Sequence, residues 1–226
     1  MARGIDADLR PLAKGRVVSG RVWSGGAVSV VEFAFVGDAF GVIGAAVLDH
    51  GQRRIYLDRV TLRGQIDRAR IPKDLEVRAR VAAPLEGNEH LRARNTPAER
   101  RNLAVANAVW AALDRHQAAD AMAPATADYR YDDYSAPRPL DRAATEKLVA
   151  DFVAAIPDFV IVDKPVQFAA GDDVVTEMVE HGTFRGRAIT LHGLDVKRFR
   201  DGKIVQEWQY ANYAEVLQQL FGIVVE

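Results

Sequence analysis

The stretch from Leu191 to Trp208, LHGLDVKRFRDGKIVQEW, decides the fold of this chain. Apolar and β-branched residues recur on both sides of Asp201-Gly202, a dipeptide that favours a tight turn between antiparallel strands. The stretch therefore predicts a long β-hairpin. Because side chains alternate along a strand, four residues of its first half are expected on one face: Gly193, Asp195, Lys197 and Phe199.

The residues around this hairpin predict helices first and long strands afterwards. A helix begins near Thr96, which can cap it, with Pro97 at the first helical position and Glu99 reaching back to the cap. The predicted elements are helices over 97–115 and 117–123, a strand over Asp128–Tyr134, a helix capped by Asp141, strands over Phe159–Phe168, Asp173–Phe184, Ala188–Arg200 and Ile204–Tyr213, and a helix over 214–221. Helices followed by a run of strands are typical of an α+β domain.

The first 62 residues predict strands without helices, over Val17–Ser24, Val28–Val36, Gly41–Leu48 and Arg54–Leu62. Their turns are spaced like those within 160–210, which indicates a weak internal repeat. The alternative, that any two antiparallel meanders look alike, stays open. We predict three parts: a strand-rich partial repeat over 1–62, a connector over 63–96 and an α+β domain over 97–226. Within the connector, Leu75–Val81 alternates like a strand.

Composition excludes several classes of protein. The chain has 226 residues, 49% of them hydrophobic, and no cysteine, so disulfides, thiolate nucleophiles and Cys-ligated metals are excluded. The five histidines are scattered and there is no phosphate-cradling glycine loop, so we expect neither a metal nor a cofactor. No secretory signal and no apolar run of about 18 residues is visible, so a cytoplasmic protein without a membrane segment is expected.

Charge is distributed unevenly along the chain. Residues 52–101 hold 13 Lys and Arg against 7 Asp and Glu, whereas residues 102–226 hold 12 against 19. A basic middle segment is one signal of nucleic-acid binding. Here the arginines alternate with acids and lack an aromatic stacking pattern, so packing of the basic segment against its acidic neighbour is favoured and no nucleic-acid partner is expected.

Residues 97–224 resemble the SnoaL-like polyketide cyclases of the nuclear transport factor 2-like superfamily. The motifs that carry the resemblance are Arg101–Leu103, Ala111–Asp114, Tyr129–Asp133, Gly171–Val175, His181–Phe184 and, most specifically, Leu191–Trp208. The resemblance implies a cone-shaped, cystatin-like α+β barrel, in which a curved antiparallel sheet wraps around helices and a deep apolar pocket. Here an antiparallel half-sheet would precede it. Ketosteroid isomerase, scytalone dehydratase and limonene-epoxide hydrolase share this fold, so the fold alone does not settle the chemistry.

The chain departs from the family pattern at the rim of the pocket and at three side chains. Only Arg185-Gly186-Arg187 joins Phe184 to Ala188, where the family often has a long loop. Asp132 and Phe184 stand where histidines are frequent, and Lys197 stands where an apolar residue is usual. The lost histidines and Lys197 favour a non-catalytic module with a degenerate pocket.

Asp195 is the leading catalytic candidate. It lies in mid-strand within an apolar run, where an unpaired carboxylate is costly. The resemblance implies that the aspartate at this position acts as a general acid and base, and an apolar pocket raises a carboxyl pKa toward the working pH. The structural alternative is that Asp195 pairs with Lys197, which would hold it ionised and lower its pKa.

The second catalytic candidate is His181, which can share a proton network with Asp195 or be a half-exposed strand residue. Asp132 can pair with Asp195 as a second carboxylate, or lie in a solvated turn. Of Glu177 and Glu180, which point to opposite faces of one strand, one is expected to face inward. The remaining candidates for the wall of the pocket are Trp110, Tyr131, Glu177, Lys197, Phe199, Trp208 and Tyr210.

The leading hypothesis is a cofactor-independent cyclase or isomerase that performs acid–base catalysis on a polyketide-like or other small carbonyl compound. The alternatives are a non-catalytic binding or assembly module and an epoxide hydrolase, which needs an Asp/Arg/Asp constellation. The enzymatic hypothesis predicts that Asp195 lines a pocket of about 300 Å³ or more and lies free of Lys197. An ion pair that fills the cavity would contradict it.

Superfamily members commonly dimerise through the outer face of the sheet. We therefore expect strands from 17–62 to pack against strands from 159–210, giving an intramolecular pseudo-dimer, with a homodimer as the alternative.

Overall fold

The computed structural model of the chain describes residues 15–37, 41–58, 88–133, 139–211, 215–216 and 219–220. Some predictions fall wholly or partly outside these residues: the fourth strand beyond Asp58, the connector up to residue 87 with its strand at Leu75–Val81, and parts of the helix over 214–221. Within the described residues, the predicted α+β architecture with a preceding antiparallel sheet is confirmed.

The first five strands form a sheet in the order β4-β3-β2-β1-β5, here called the N-terminal sheet. The strands are β1 (Gly15–Gly25), β2 (Val28–Gly37), β3 (Gly41–Asp49), β4 (Gln52–Asp58) and β5 (His90–Arg92). The first four form antiparallel hairpins, whereas β5 lies parallel to β1. The prediction placed residues 90–92 in a connector and missed β5, since three residues are too few to show a periodic pattern.

The remaining six strands form the C-terminal sheet, in the order β7-β6-β11-β10-β9-β8. They are β6 (Ala125–Asp133), β7 (Leu140–Asp141), β8 (Val160–Ala170), β9 (Asp173–Phe184), β10 (Arg187–Arg200) and β11 (Lys203–Ala211). The hairpin predicted around Asp201-Gly202 is confirmed, with both turn residues at positive φ. The inner face of this sheet carries the helices.

Three helices lie on the inner face: α1 (Pro97–Asp114), α2 (Ala118–Met122) and α3 (Arg142–Ala155). The predicted capping box is present at α1, because the Thr96 hydroxyl accepts from the Glu99 amide while the Glu99 carboxylate accepts from the Thr96 amide. Asp141 caps α3 through the Ala144 amide, at 2.9 Å. None of the helices described here is long and apolar enough to cross a membrane.

A β-bulge in the second half of the hairpin determines which side chains of β11 face the helices. Arg198 is opposite Gln206 and Phe199 is opposite Ile204, so Val205 is an extra residue without a partner on β10. An extra residue reverses the faces of all residues beyond it. Trp208 therefore lies opposite Val196 and on its face, away from Asp195.

Two apolar cores lie on the two sides of the C-terminal sheet. The core on the outer side includes Trp23 and Val30 of the N-terminal sheet together with Val175 and Val196 of the C-terminal sheet. The core on the inner side joins helices α1 and α2 to strands of the same sheet. The predicted packing of strands from 17–62 against strands from 159–210 is seen in the outer core.

Polar side chains also link the two sheets. The Trp23 indole donates to the Asp173 carboxylate at 2.8 Å, and the Tyr210 hydroxyl donates to Glu32 at 2.5 Å. At Gly25 the sheets approach so closely that a Cβ atom would overlap the ring of Phe168. The interface therefore requires a residue without a side chain at this position.

Candidate active site

A cavity of about 190 Å³ lies between the inner face of the C-terminal sheet and helices α1 and α3. Most of its wall is apolar, including Val109, Leu113, Phe152 and Met178. Gly193 contributes no side chain to the wall, which leaves the middle of β10 open to the cavity. Ionisable side chains occur at two places in this apolar surround.

At the first place, two carboxylates share one ammonium group. The Lys197 Nζ atom lies 3.0 Å from Asp195 Oδ1 and 2.8 Å from Glu207 Oε1. Asp195 and Lys197 are each 1% exposed, and Glu207 lies directly opposite Lys197 in the hairpin. The Tyr129 hydroxyl donates to Glu207 Oε2 at 2.8 Å. We call Tyr129, Asp195, Lys197 and Glu207 the carboxylate–lysine cluster.

The ring of Trp110 completes the surroundings of Lys197. The ammonium group lies 3.9 Å from the ring centroid, within the range of a cation–π contact. The Trp110 indole N–H is buried and has no hydrogen-bond partner among the described residues. Lys197 is thus held from three sides, which fixes the position of the charge that faces the carboxylates.

The carboxylates of this cluster carry different charge states. Burial, together with the charge of Glu207, raises the pKa of Asp195 well above its ordinary range. Burial alone would raise the pKa of Glu207 as well, but the charge of Lys197 and hydrogen bonds from Asp195, Lys197 and Tyr129 outweigh it and lower that pKa. Asp195 is therefore the group that keeps a proton, which it donates to Glu207, while Lys197 balances the Glu207 charge.

At the second place, Glu180 of β9 faces the cavity. Its neighbours in the sheet are Leu191 and Ile161, and the side chain is 8% exposed. Burial, followed by the nearby charge of Asp114 and partly offset by Lys197, raises the pKa of Glu180 to about 7. This carboxyl is therefore poised to change its protonation near neutral pH.

Four of the predicted site residues line the cavity: Trp110, Tyr131, Asp195 and Lys197. The Tyr131 hydroxyl donates to Gln209 Oε1 on the neighbouring strand β11. Phe199 shares the face of Lys197, as predicted, but lies in the inner core beyond the cavity.

Other predicted site residues lie on the outer face of the sheet. Trp208 and Tyr210 belong to the outer core, and Glu177 accepts hydrogen bonds from Arg54 and Tyr56 of the N-terminal sheet, at 2.5 Å each. His181 is exposed and pairs with Thr190. Because strand residues alternate between faces, Glu177 and His181 cannot share a face with Glu180 and do not reach Asp195.

Asp132 is buried but also lies apart from Asp195. It is opposite Trp208 in the parallel pair β6–β11, ion-paired with Arg130 at 2.8 Å and bonded to Gln206 at 3.0 Å. Asp132 therefore meets neither of the two alternatives left open by the sequence, since it lies in a strand and is buried but does not pair with Asp195. Asp195 instead has its second carboxylate in Glu207.

The prediction missed Glu207, Tyr129 and Gln209, although the first two lie in the quoted motifs. The signal for Glu207 was an acidic residue within the same hairpin as Asp195. This signal could not be used without knowledge of the bulge at Val205, because the bulge turns Glu207 toward the face of Asp195. Of Glu177 and Glu180, the prediction chose the wrong one for the wall of the pocket.

The conditions set by the enzymatic hypothesis are met only in part. The cavity is smaller than the expected 300 Å³, and Asp195 is not free of Lys197. The ion pair nevertheless lies in the wall and leaves the cavity open. The pKa of Asp195 is raised and not lowered, because burial and Glu207 outweigh the charge of Lys197.

The sequence model of the family described as SnoaL-like polyketide cyclase matches residues 103–220, just over half of the chain. No curated protein sequence matches the chain at a significant level. Among solved structures, AclR from Streptomyces galilaeus, provisionally described as a hydroxylase, has 22% identity and a TM-score of 0.50; the match covers 56% of this chain and 99% of that one. A protein from Xanthomonas campestris pv. campestris, provisionally described as a polyketide cyclase, has 24% identity and a TM-score of 0.51, covering 54% of this chain and 98% of that one. At these identities the structures show a shared fold.

Proposed function

Because the chain belongs to the SnoaL-like polyketide cyclase family, we propose that it is a cofactor-independent cyclase or isomerase that acts on a small carbonyl compound in the cavity. The residues that carry this proposal are Asp195, Glu207 and Lys197. An apolar cavity with a few convergent polar groups is the usual form of a small-molecule site.

The observation that supports catalysis is that the carboxylates of Asp195 and Glu207 contact one ammonium group, that of Lys197, in the wall of the cavity. Asp195 is held neutral by burial and by Glu207, and its carboxyl faces the apolar cavity. A neutral carboxylic acid in such a place can donate a hydrogen bond or a proton to a carbonyl oxygen as negative charge develops on it. Lys197 then stabilises the Asp195 carboxylate that remains, whereas the charge of Glu207 favours its reprotonation.

The second candidate is a binding module without catalysis. It is favoured by the small volume of the cavity and by the complete pairing of Lys197 with two carboxylates and the Trp110 ring. The epoxide-hydrolase alternative lacks support, since no arginine occurs among the described residues that line the cavity.

The test measures proton exchange on a model ketone. The purified protein is incubated with 2-tetralone in deuterated buffer, and loss of the α-proton signals is followed by NMR. We expect the wild-type protein to accelerate exchange and Asp195→Asn to lose at least tenfold of that acceleration, in the range usual for removal of an acid–base group. The matched control is Asp151→Asn, because Asp151 is an exposed aspartate on α3.

Binding of the same ketone is measured separately by calorimetry. Binding without any acceleration of exchange would favour the second candidate. Equal acceleration by wild type and Asp195→Asn would contradict the role of Asp195.

A further inference from the structure

Glu180 is a buried carboxyl without a hydrogen-bond donor. Its side chain lines the cavity, and none of the described residues donates a hydrogen bond to it or forms an ion pair with it. Buried carboxylates are normally paired, as Glu177 of the same strand is with Arg54. The absence of a donor leaves the carboxyl oxygens of Glu180 available to a molecule in the cavity.

The groups around Glu180 come from each element packed against it. Leu191 of β10 and Ile161 of β8 are its strand neighbours, and Asp114 at the end of α1 accepts from the Ile161 amide at 2.8 Å. The charge of Lys197, which lies farther along β10, lowers the pKa of Glu180 and so offsets part of its rise. His192 also lines the cavity, and its ring lies 3.1 Å from Glu215. Among the residues that the structure describes, Glu180 therefore has one acid near it, Asp114, and no cation in contact.

Glu180 and Asp195 lie at two ends of the cavity. Glu180 is opposite Leu191, and Asp195 is four residues farther along β10, which is about 13 Å along the strand. Leu191, Gly193 and Asp195 share the inner face of β10, and Gly193 between the other two adds no side chain. Both carboxyls therefore line one cavity, at different places along its wall.

We propose that Glu180 is the general base of this cavity and removes an acidic C–H proton from a carbonyl compound that binds there. This inference rests on the proposed function. Glu180 takes the proton as the C–H bond breaks. The electron pair of that bond forms the C=C bond of an enolate, while the π electrons of the adjacent carbonyl move to its oxygen. Glu180 then returns a proton to a carbon atom of the enolate, which restores the carbonyl group and the Glu180 carboxylate.

The test uses 5-nitrobenzisoxazole, a small flat probe that needs only a base. Removal of its ring C–H proton breaks the N–O bond and releases a coloured cyanonitrophenolate, so the reaction reports on the base without the natural substrate. We expect the wild-type rate to rise with pH to a plateau, with a midpoint near 7. Glu180→Gln should lose at least tenfold of this rate. Glu89→Gln, which changes an exposed glutamate, should retain it.

A second variant separates the chemistry from an effect on folding. In Glu180→Ala, added acetate can occupy the vacated space and act as the base, so acetate should restore part of the elimination rate in proportion to its concentration. Acetate should leave the wild-type rate unchanged. A wild-type midpoint near 4.5, or equal rates for wild type and Glu180→Gln, would overturn the proposal.

The two proposals fail in different ways. If ketone exchange is independent of Asp195 while the elimination requires Glu180, the proposed function is wrong and the assignment of Glu180 as the base is supported. If exchange requires Asp195 while the elimination is independent of Glu180, only the assignment of Glu180 as the base is wrong.

Discussion

The raised pKa of Glu180 predicts that this carboxyl destabilises the folded protein at neutral and alkaline pH. The pKa rises from 4.5 to about 7 on folding, mainly through burial. One pKa unit corresponds to about 1.4 kcal/mol, so the shift corresponds to about 3 kcal/mol. The folded protein binds the proton more tightly than the unfolded chain does. This stabilisation is complete below pH 4.5 and is lost as the pH rises through about 7.

Glu180→Gln removes the titration and keeps the shape of the side chain. The free energy of unfolding of the variant minus that of wild type should therefore increase by about 3 kcal/mol between about pH 4 and about pH 8, because wild type loses stability over this range and the variant does not. All other titrating groups are common to both proteins, so their contributions largely cancel in this difference. Only the pH dependence is used, because the absolute difference also contains changes in packing.

The assay is urea unfolding at closely spaced pH values, with the slope against urea checked for constancy. Glu89→Gln is the matched control, since it makes the same chemical change at a glutamate that is about half exposed. A difference between Glu180→Gln and wild type that stays within about 0.5 kcal/mol across this range would show that Glu180 is not desolvated. The cavity would then be open to water at this end.

Two further predictions concern the contact between the sheets. Arg54→Ala removes the cation that pairs with Glu177, which is fully buried, and should lower the free energy of unfolding by about 3 kcal/mol in urea; a loss below about 1 kcal/mol would mean that water reaches Glu177. We also propose that the N-terminal sheet takes the place of a second copy on the outer face of the C-terminal sheet, so light scattering should give the 24.9 kDa mass of one chain. A dimeric mass that persists on dilution would contradict this pseudo-dimer.

The order and type of the elements could be predicted because local signals agree with the fold. The Thr96–Glu99 capping box, the Asp141 cap and the turn at Asp201-Gly202 all act within a few residues and are present as expected. Asp195 and Lys197 were also placed together correctly, because alternation within one strand requires no knowledge of its neighbours.

The site residues were misplaced because the predicted pairing of the strands differs from the structure by one residue at two places. The turn between β9 and β10 was taken as Arg185-Gly186-Arg187, which would place Glu177 opposite Asp195 and His181 opposite Leu191. In the structure Phe184 pairs with Arg187 across a two-residue turn, so Thr176 and Glu180 take those places. A shift of one residue moves every side chain to the other face.

The second difference is the bulge in β11. Without Val205 as an extra residue, Trp208 would lie opposite Asp195 and Tyr210 opposite Gly193, both on the cavity face. The bulge exchanges them for Glu207 and Gln209. A bulge depends on tertiary packing, here on both faces of β11. No residue pattern in the hairpin predicts it.

Glu177 and Glu180 show how the partner surface, and not the residue type, decides the role of a carboxyl. Both lie on β9 and both are buried. Glu177 faces the N-terminal sheet, where Arg54 and Tyr56 each donate to its oxygens, so its charge is satisfied and its role is to hold the sheets together. Glu180 faces the cavity, where none of the described residues donates to its oxygens, and burial followed by the charge of Asp114 raises its pKa to about 7. Burial alone therefore does not distinguish the two carboxyls, since each face of the strand carries one. The N-terminal sheet supplies donors to Glu177 on the outer face of β9, whereas the Glu180 carboxyl on the inner face is left open to a molecule in the cavity.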